Sequence, residues 1–418
     1  MNKTEIDALE QQSVFGRDAA TIRESRAAIR KLAREQGIYP ASIQSLYEAA
    51  GKGAYANKTV PAINVRGLTY DVARAVFRAI NTHQAWACIF EIARSEMEYT
   101  VQSADEYAVS LLAAALREGY SGPVFIQADH TQVRRKMYRE TPEQELNDIR
   151  KLIKDDIDAG FYNIDIDAST LVDIEKASLE EQQDKNSAIT AEMTKYIRSI
   201  EPKGITVSVG GEIGEIGKGN STVEELQAFM DTYHKYLGSG VKGISKISVQ
   251  TGTSHGGVVL PDGTLAKVSI DFDTLKKLSQ VARDKFGLGG AVQHGASTLP
   301  NDAFDMFPKV NTLEVHLATG FQNIIYDSPK FPQDLLGRIS EDIKKRYKNE
   351  WKEGETEEQF IYKTRKKSLG DFKKELWNLP AESNKSIMQE LEDQFALLFR
   401  KLAVDNTRDL VETYIKPV

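Results

Sequence analysis

Val124-Phe-Ile-Gln-Ala-Asp-His130 is a short apolar run that closes on an acid and an imidazole, and the architecture of the chain depends on how it is read. The run 124–128 is too short for a stable helix and suits a pleated strand buried on both faces. Runs of this kind recur at 60–65, 87–93, 161–167, 206–212, 243–250, 290–294 and 312–318. Between them, apolar residues fall at three- and four-residue spacing over 70–80, 104–117, 143–159, 191–200, 223–237, 272–286 and 302–307. Eight strand-like runs alternating with helical ones predict an α/β fold, the (β/α)8 TIM barrel. A doubly wound open sheet competes, but it calls for a glycine-rich turn after its first strand, and only Gly67 follows Val65.

Outward from the barrel, residues 1–58 read as a polar helical segment, with a helix around 21–32 and another after Ser42 that ends at Gly51. Residues 59–325 carry the catalytic barrel. Residues 326–418 read as a charged helical extension packed on the barrel or at a subunit interface, with Arg365-Lys366-Lys367 on a solvated face.

The 41% hydrophobic fraction supplies a large core, and the net charge of −7 gives no general attraction to nucleic acid or anionic lipid. A single cysteine, Cys88, rules out an intrachain disulfide. No apolar stretch is long enough to span a membrane, and the first twenty residues hold no signal core. The expectation is a cytoplasmic protein without nucleic-acid or membrane partners.

Catalytic groups of a barrel gather at the C-terminal ends of its strands. That rule selects Glu91, Asp129, His130, Asp165, Asp167, Glu212, Lys246, His255, His294, Glu314 and His316. Four of the six histidines are in this set, which suits a divalent metal with an open coordination position. Strand alternation is expected to send Asp129 and His130 to different sides, one toward metal and one toward substrate as an acid–base group. Lys246 should face inward and pair with Asp165 or Asp167; a Schiff-base lysine is the metal-free alternative. The glycine run 210–219 lacks the Walker spacing, so Glu212 is read as a strand-end carboxylate and 213–221 as a loop that closes over substrate.

With these residues in place, the chain resembles the class II, metal-dependent fructose-bisphosphate and tagatose-bisphosphate aldolases over about 58–325. Asp129-His130 is similar to the second half of the family's His-x-Asp-His, 160–169 to its Gly-Phe-x-x-x-x-x-Asp-x-Ser, and Glu212-Ile-Gly214 to its Glu-Leu-Gly. The segments 252–256 and 294–297 resemble its two late metal-histidine motifs. The resemblance implies Zn2+, or another divalent first-row metal, on His130, His255 and His294, with a monovalent cation as a further candidate. It implies Asp129 as the catalytic acid–base group and Glu212 as support for the metal site; beside it, Glu212, Lys246 and His316 stand as further catalytic candidates, although Lys246 has no counterpart in the family. Asn64, Asp167, Gly256, Ser297 and Thr319 fall on the substrate or phosphate side. The departures lie there too: Gln127 stands for the first histidine of His-x-Asp-His, and His316 for the asparagine of Val-Asn-x-x-Thr. The acidic pair of the family's loop has only Glu215 and Lys218 as nearest candidates.

The resemblance thus implies a zinc-dependent lyase of carbohydrate metabolism, of the glycolytic kind. It would cleave or form a C–C bond in a ketose phosphate through a metal-stabilised enediolate, as a homodimer or homotetramer. The alternatives are a metal-dependent sugar or sugar-acid epimerase or isomerase, and a non-catalytic aldolase-like subunit.

Overall fold

The computed structural model describes residues 2–214, 219–252, 260 and 269–417. Its strands are β1 (Ile38–Ala41), β2 (Val60–Asn64), β3 (Ile89–Ala93), β4 (Gly122–Gln132), β5 (Asn163–Asp167), β6 (Ser208–Glu212), β7 (Lys246–Val249), β8 (Ala291–Gln293) and β9 (Glu314–Leu317). All pair in parallel. From β2 to β9 each strand pairs with the next, and β9 pairs back on β2, so eight strands close into the predicted TIM barrel. Helices follow the strands at the predicted places, two of them, Val223–Leu237 and Phe272–Phe286, over the spans expected. The first is set by a capping box, in which Thr222 and Glu225 satisfy each other's backbone N–H groups.

The segment before residue 58 is not wholly helical. β1 pairs with the start of β4, Ile38 opposite Gly122 and Ala41 opposite Phe125. Pro40 concealed it, because proline has no N–H to give a ladder and is confined to strands paired on one side. Ahead of β5, Asn163 bridges the two strands: its amide donates to Ala41 O at 3.2 Å and to Ile126 O at 2.9 Å.

Outside the barrel the core is apolar. Phe77 packs on Phe90 and Tyr120 with ring centroids 4.9 and 5.0 Å apart. Each ring so buried contributes about 2–3 kcal/mol. The residues after β9 run as helices along the barrel, where Arg78 pairs with Glu392 at 2.6 Å and Asn384 donates to Asp71 at 2.8 Å. Arg365 is not solvated: it is buried and pairs with Asp327, and this brings Lys366 to the barrel mouth.

Inside the barrel, where branched apolar side chains usually fill the layers, one layer is charged. The Lys246 ammonium is 1% exposed and reaches Gln127 Oε1 at 2.7 Å, Asp165 Oδ2 at 2.9 Å and Glu314 Oε1 at 2.5 Å. Tyr47 donates its hydroxyl to the other Glu314 oxygen. Gly210 makes room for this pair, since a Cβ there would lie 2.3 Å from Asp165 Oδ1 and 3.0 Å from Lys246 Cε.

Candidate metal centre

Above this layer, β4 departs from a regular strand. Ala128 faces Ile164 and Thr131 faces Ile166, so β4 carries one residue more than β5 over the same step. His130 takes up the excess with a left-handed backbone, φ 44°. Such a bulge re-aims side chains. Asp129 and His130 therefore do not part to different sides as alternation predicts; both line one cavity of about 300 Å3 at the barrel mouth. Asn64, His294, Ser297, His316 and Thr319 line it as well.

His130 Nδ1 is 3.1 Å from Asp167 Oδ2 and 3.3 Å from Glu212 Oε2. A proton on Nδ1 serves these carboxylates, and Nε2 lies at hydrogen-bond distance, 2.7 Å, from His294 Nδ1. His294 meets the Ser248 hydroxyl through Nε2 at 3.1 Å. Imidazoles oriented in this way by carboxylates are the usual setting of a metal. Asp129 completes the group, with one ligand atom from each of Asp129, His130 and His294 inside 4.8 Å. The donor set fits a divalent first-row ion.

The electrostatics follow the same pattern. Burial opposes charge on His130, but Asp129 and Glu212 outweigh it and hold the imidazole well above its usual range. Burial would raise Asp129, yet His130 and His316 hold it well below the carboxylate range. Burial pushes Glu212 up to about 7 and Glu91 to about 8. In the layer beneath, Lys246 overcomes burial and holds Glu314 down at about 2.

His316 stacks on His294 with ring centroids 4.1 Å apart. Its Nε2 meets Glu314 at 2.6 Å, and its Nδ1 lies 3.0 Å from Glu91 and 3.2 Å from Asp129. Lys246 does not line the cavity and spends its three donors on Gln127, Asp165 and Glu314. Asp167 does not line the cavity and reaches it through His130 and Gln132, the latter donating to it at 2.6 Å, while Ser169 Oγ donates to it at 2.6 Å. His255, Gly256, Glu215 and Lys218 lie outside the described residues.

Sequence reasoning missed the basic wall of the cavity: Arg66, Arg94, Arg134 and Lys366. Arg66 is held by Glu96 at 2.7 Å, which also accepts from Asn64 at 2.7 Å and caps the helix Arg94–Thr100 through Ala93 N at 2.8 Å. Arg66 directly follows the first strand run and was open to the strand-end rule; Lys366 carries no such signal.

The barrel is of the class II aldolase fold, and the family model for fructose-bisphosphate aldolase class-II matches residues 41–370. The chain belongs to that family. A fructose-bisphosphate aldolase from Giardia intestinalis is 26% identical over 221 residues, 53% of this chain and 56% of that protein, so the match spans little more than half the relative's length. The crystal structure of a fructose-bisphosphate aldolase from Campylobacter jejuni superposes with a TM-score of 0.51 at 18% identity, covering 88% of this chain and 97% of that one. A glycerol-bound fructuronate-tagaturonate epimerase from Cohnella laeviribosi gives a TM-score of 0.60 at 12% identity, covering 91% and 86%. At these identities the likeness is one of fold. No described helix is long and apolar enough to cross a membrane.

Proposed function

We propose that the chain is a zinc-dependent lyase that cleaves or forms a C–C bond in a ketose phosphate. The observation that carries this reading is the convergence of Asp129, His130 and His294 on one cavity with a basic wall. His130 and His294 would hold the ion, with His255 as the third ligand. Bound there, a divalent ion supplies Lewis-acid polarisation of the ketose carbonyl.

The chain's own residues do the rest. Asp167 and Glu212 orient His130. Asp129, kept ionised by the imidazoles around it, takes the proton of the hydroxyl next to the scissile bond and returns it in the condensation direction. Arg66, Lys366, Ser297 and Thr319 surround the substrate's anionic end.

The test is aldol cleavage of a panel of ketose phosphates, with and without chelator. Asp129→Ala, assayed at saturating zinc, should lose at least about a hundredfold in kcat, the scale of a positioned acid–base group. Turnover that survives the substitution sinks the assignment.

A second reading, a sugar or sugar-acid epimerase, is favoured by one observation: Asp129 and His316 lie 3.2 Å apart in one site and offer two proton carriers. Incorporation of solvent deuterium into a ketose without cleavage would select it. A purified protein that holds no zinc and turns over neither substrate class would instead fit the non-catalytic subunit.

A further inference from the structure

Lys366 differs from the other cations of the cavity wall. Arg94 and Arg134 share Glu145, a fully buried carboxylate that accepts from Arg134 Nη2 at 2.5 Å and from Arg94 Nη1 at 3.4 Å. Asp148 and Glu98 lie 3.1 and 3.7 Å from the same two guanidiniums, so acids outnumber arginines on that part of the wall. Arg66 is matched by Glu96. Lys366 is half-buried in the cavity lining, and among the described residues no carboxylate pairs with it. Its ammonium stands 5.7 Å from the centre of the Tyr99 ring. Burial, and then the Arg66 charge, push it below the usual lysine range, and Glu96 and Glu350 offset them only in part.

The fold holds Lys366 in this position from both sides. Arg365 donates to Asp327 Oδ1 at 2.5 Å and to Asn323 Oδ1 at 2.8 Å, and it lies over the rings of Tyr326 and Tyr362. The hydroxyls of Tyr326 and Ser368 meet at 2.7 Å. Two glycines admit the extension: a Cβ at Gly67 would lie 2.6 Å from Leu369 Cδ2, and one at Gly370 would lie 2.1 Å from Tyr99 O. Gly67 directly follows Arg66, so seating Leu369 there brings Lys366 to the end of the cavity where Arg66 Nη1 lies 3.5 Å from the Thr319 hydroxyl. A partly desolvated ammonium kept beside a second cation is costly until an anion joins them.

We propose that Lys366 is the residue that selects the substrate's phosphate, and that the substrate carries a single phosphate, at this end. The inference rests on the ketose-phosphate reading and adds which residue recognises the phosphate and how many phosphates there are. The unmatched ammonium, the Arg66 guanidinium and the hydroxyls of Ser297 and Thr319 offer donors to the oxygens of one phosphate. At Arg94 and Arg134 the carboxylates already answer the guanidiniums, and a second phosphate there would meet an excess of negative charge. The substrate thus parts from the bisphosphate for which the family is named.

The experiment measures cleavage of a ketohexose 1-phosphate, the 6-phosphate, the 1,6-bisphosphate and the free ketohexose by the full-length protein at saturating zinc. For wild type, kcat/KM on one monophosphate should equal or exceed that on the bisphosphate. Lys366→Met should raise KM for that monophosphate at least about tenfold with kcat nearly unchanged, the mark of lost uniform binding, and leave the free ketose unaffected. Lys366→Arg should restore most of the loss. Calorimetric titration gives a readout that needs no turnover: glycerol 3-phosphate should bind wild type at least about tenfold more tightly than Lys366→Met, and glycerol and glycerate should bind both weakly.

Cleavage of ketose phosphates with KM unmoved by Lys366→Met overturns the role of Lys366 while the lyase reading stands. No cleavage of any member, with glycerol 3-phosphate still bound through Lys366, overturns the lyase reading and keeps the phosphate site. A bisphosphate preferred more than about tenfold over both monophosphates, the scale of one charge-assisted hydrogen bond, overturns the single phosphate. Glycerate bound as tightly as glycerol 3-phosphate assigns the site to a carboxylate instead. An equal loss on the phosphorylated and free ketoses shows Lys366 to be structural and overturns the proposal.

Discussion

Two layers of the same barrel, one above the other, are built from the same kinds of side chain and end in opposite conditions. In the lower layer Asp165, Glu314 and Gln127 converge on the Lys246 ammonium, and the charge is matched within the chain. In the upper layer Asp129 meets imidazoles instead, His316 at 3.2 Å and His130 beside it. A buried carboxylate needs a cation; below, a lysine supplies it, and above, imidazoles that can exchange a proton for a metal do. A third solution lies away from the site. Asp156 is fully buried with no partner for either oxygen among the described residues, and burial pushes its carboxyl up to about 8, so a proton does there what lysine does in the barrel.

Lys246→Met breaks the lower layer and has the largest expected effect. It strands Asp165 and Glu314, and removing one partner of a buried ion pair costs about 3–5 kcal/mol. Urea unfolding should show this loss with the m-value unchanged. If stability hardly moves, the closed layer is not what holds the strands in register.

Gly210→Ala attacks the same layer by volume. The added methyl meets Asp165 and Lys246, and overpacking of this kind costs about 1–3 kcal/mol. Its melting temperature should fall while cobalt still binds at the mouth, which separates the layers experimentally.

Asp156 sharpens the comparison through pH. Its folded pKa of about 8 stands above the ordinary aspartate value of 3.8, so the native state binds the extra proton. Stability from this group is full at low pH and is lost as pH rises through the window between those values. Asp156→Asn should therefore gain on wild type steadily from pH 5 to pH 8 in thermal melts. A constant offset across that range would show that Asp156 is already ionised at pH 5.

The smallest effect is expected at the rim. Val101 ends the helix that carries Glu96, in a left-handed conformation at φ 53° and 67% exposed. β-branched residues rarely adopt that conformation. Val101→Asn should raise stability by about 1 kcal/mol, read by denaturant titration, with metal stoichiometry unchanged.

Much of the site was legible because barrel geometry converts a one-dimensional rule into a three-dimensional one. Asp129, His130 and His294 each end or follow an apolar run and His316 lies near the end of one, and parallel strands bring all run ends to one face. Strand alternation failed at the one place where β4 holds an extra residue, and nothing in Ala128-Asp129-His130 announces a bulge. Lys366 was hidden for another reason: a charge run on a late helix has the same composition whether it meets water or a cavity.

The order of strands and helices, the barrel and the strand-end donors were determined by the sequence itself, because period and residue type are local properties. Which donors meet was decided only by the tertiary structure. Strand stagger sets Val60 opposite Glu314 and Ala62 opposite His316, and it sets Asn64 opposite Glu91 and Glu91 opposite Gln127. Closure of the ring then brings Lys246 from β7 against Gln127 from β4 across the interior. The separation of a lysine-matched layer from an imidazole-matched one is a property of that closure, since the partners of each charge are distant in the chain.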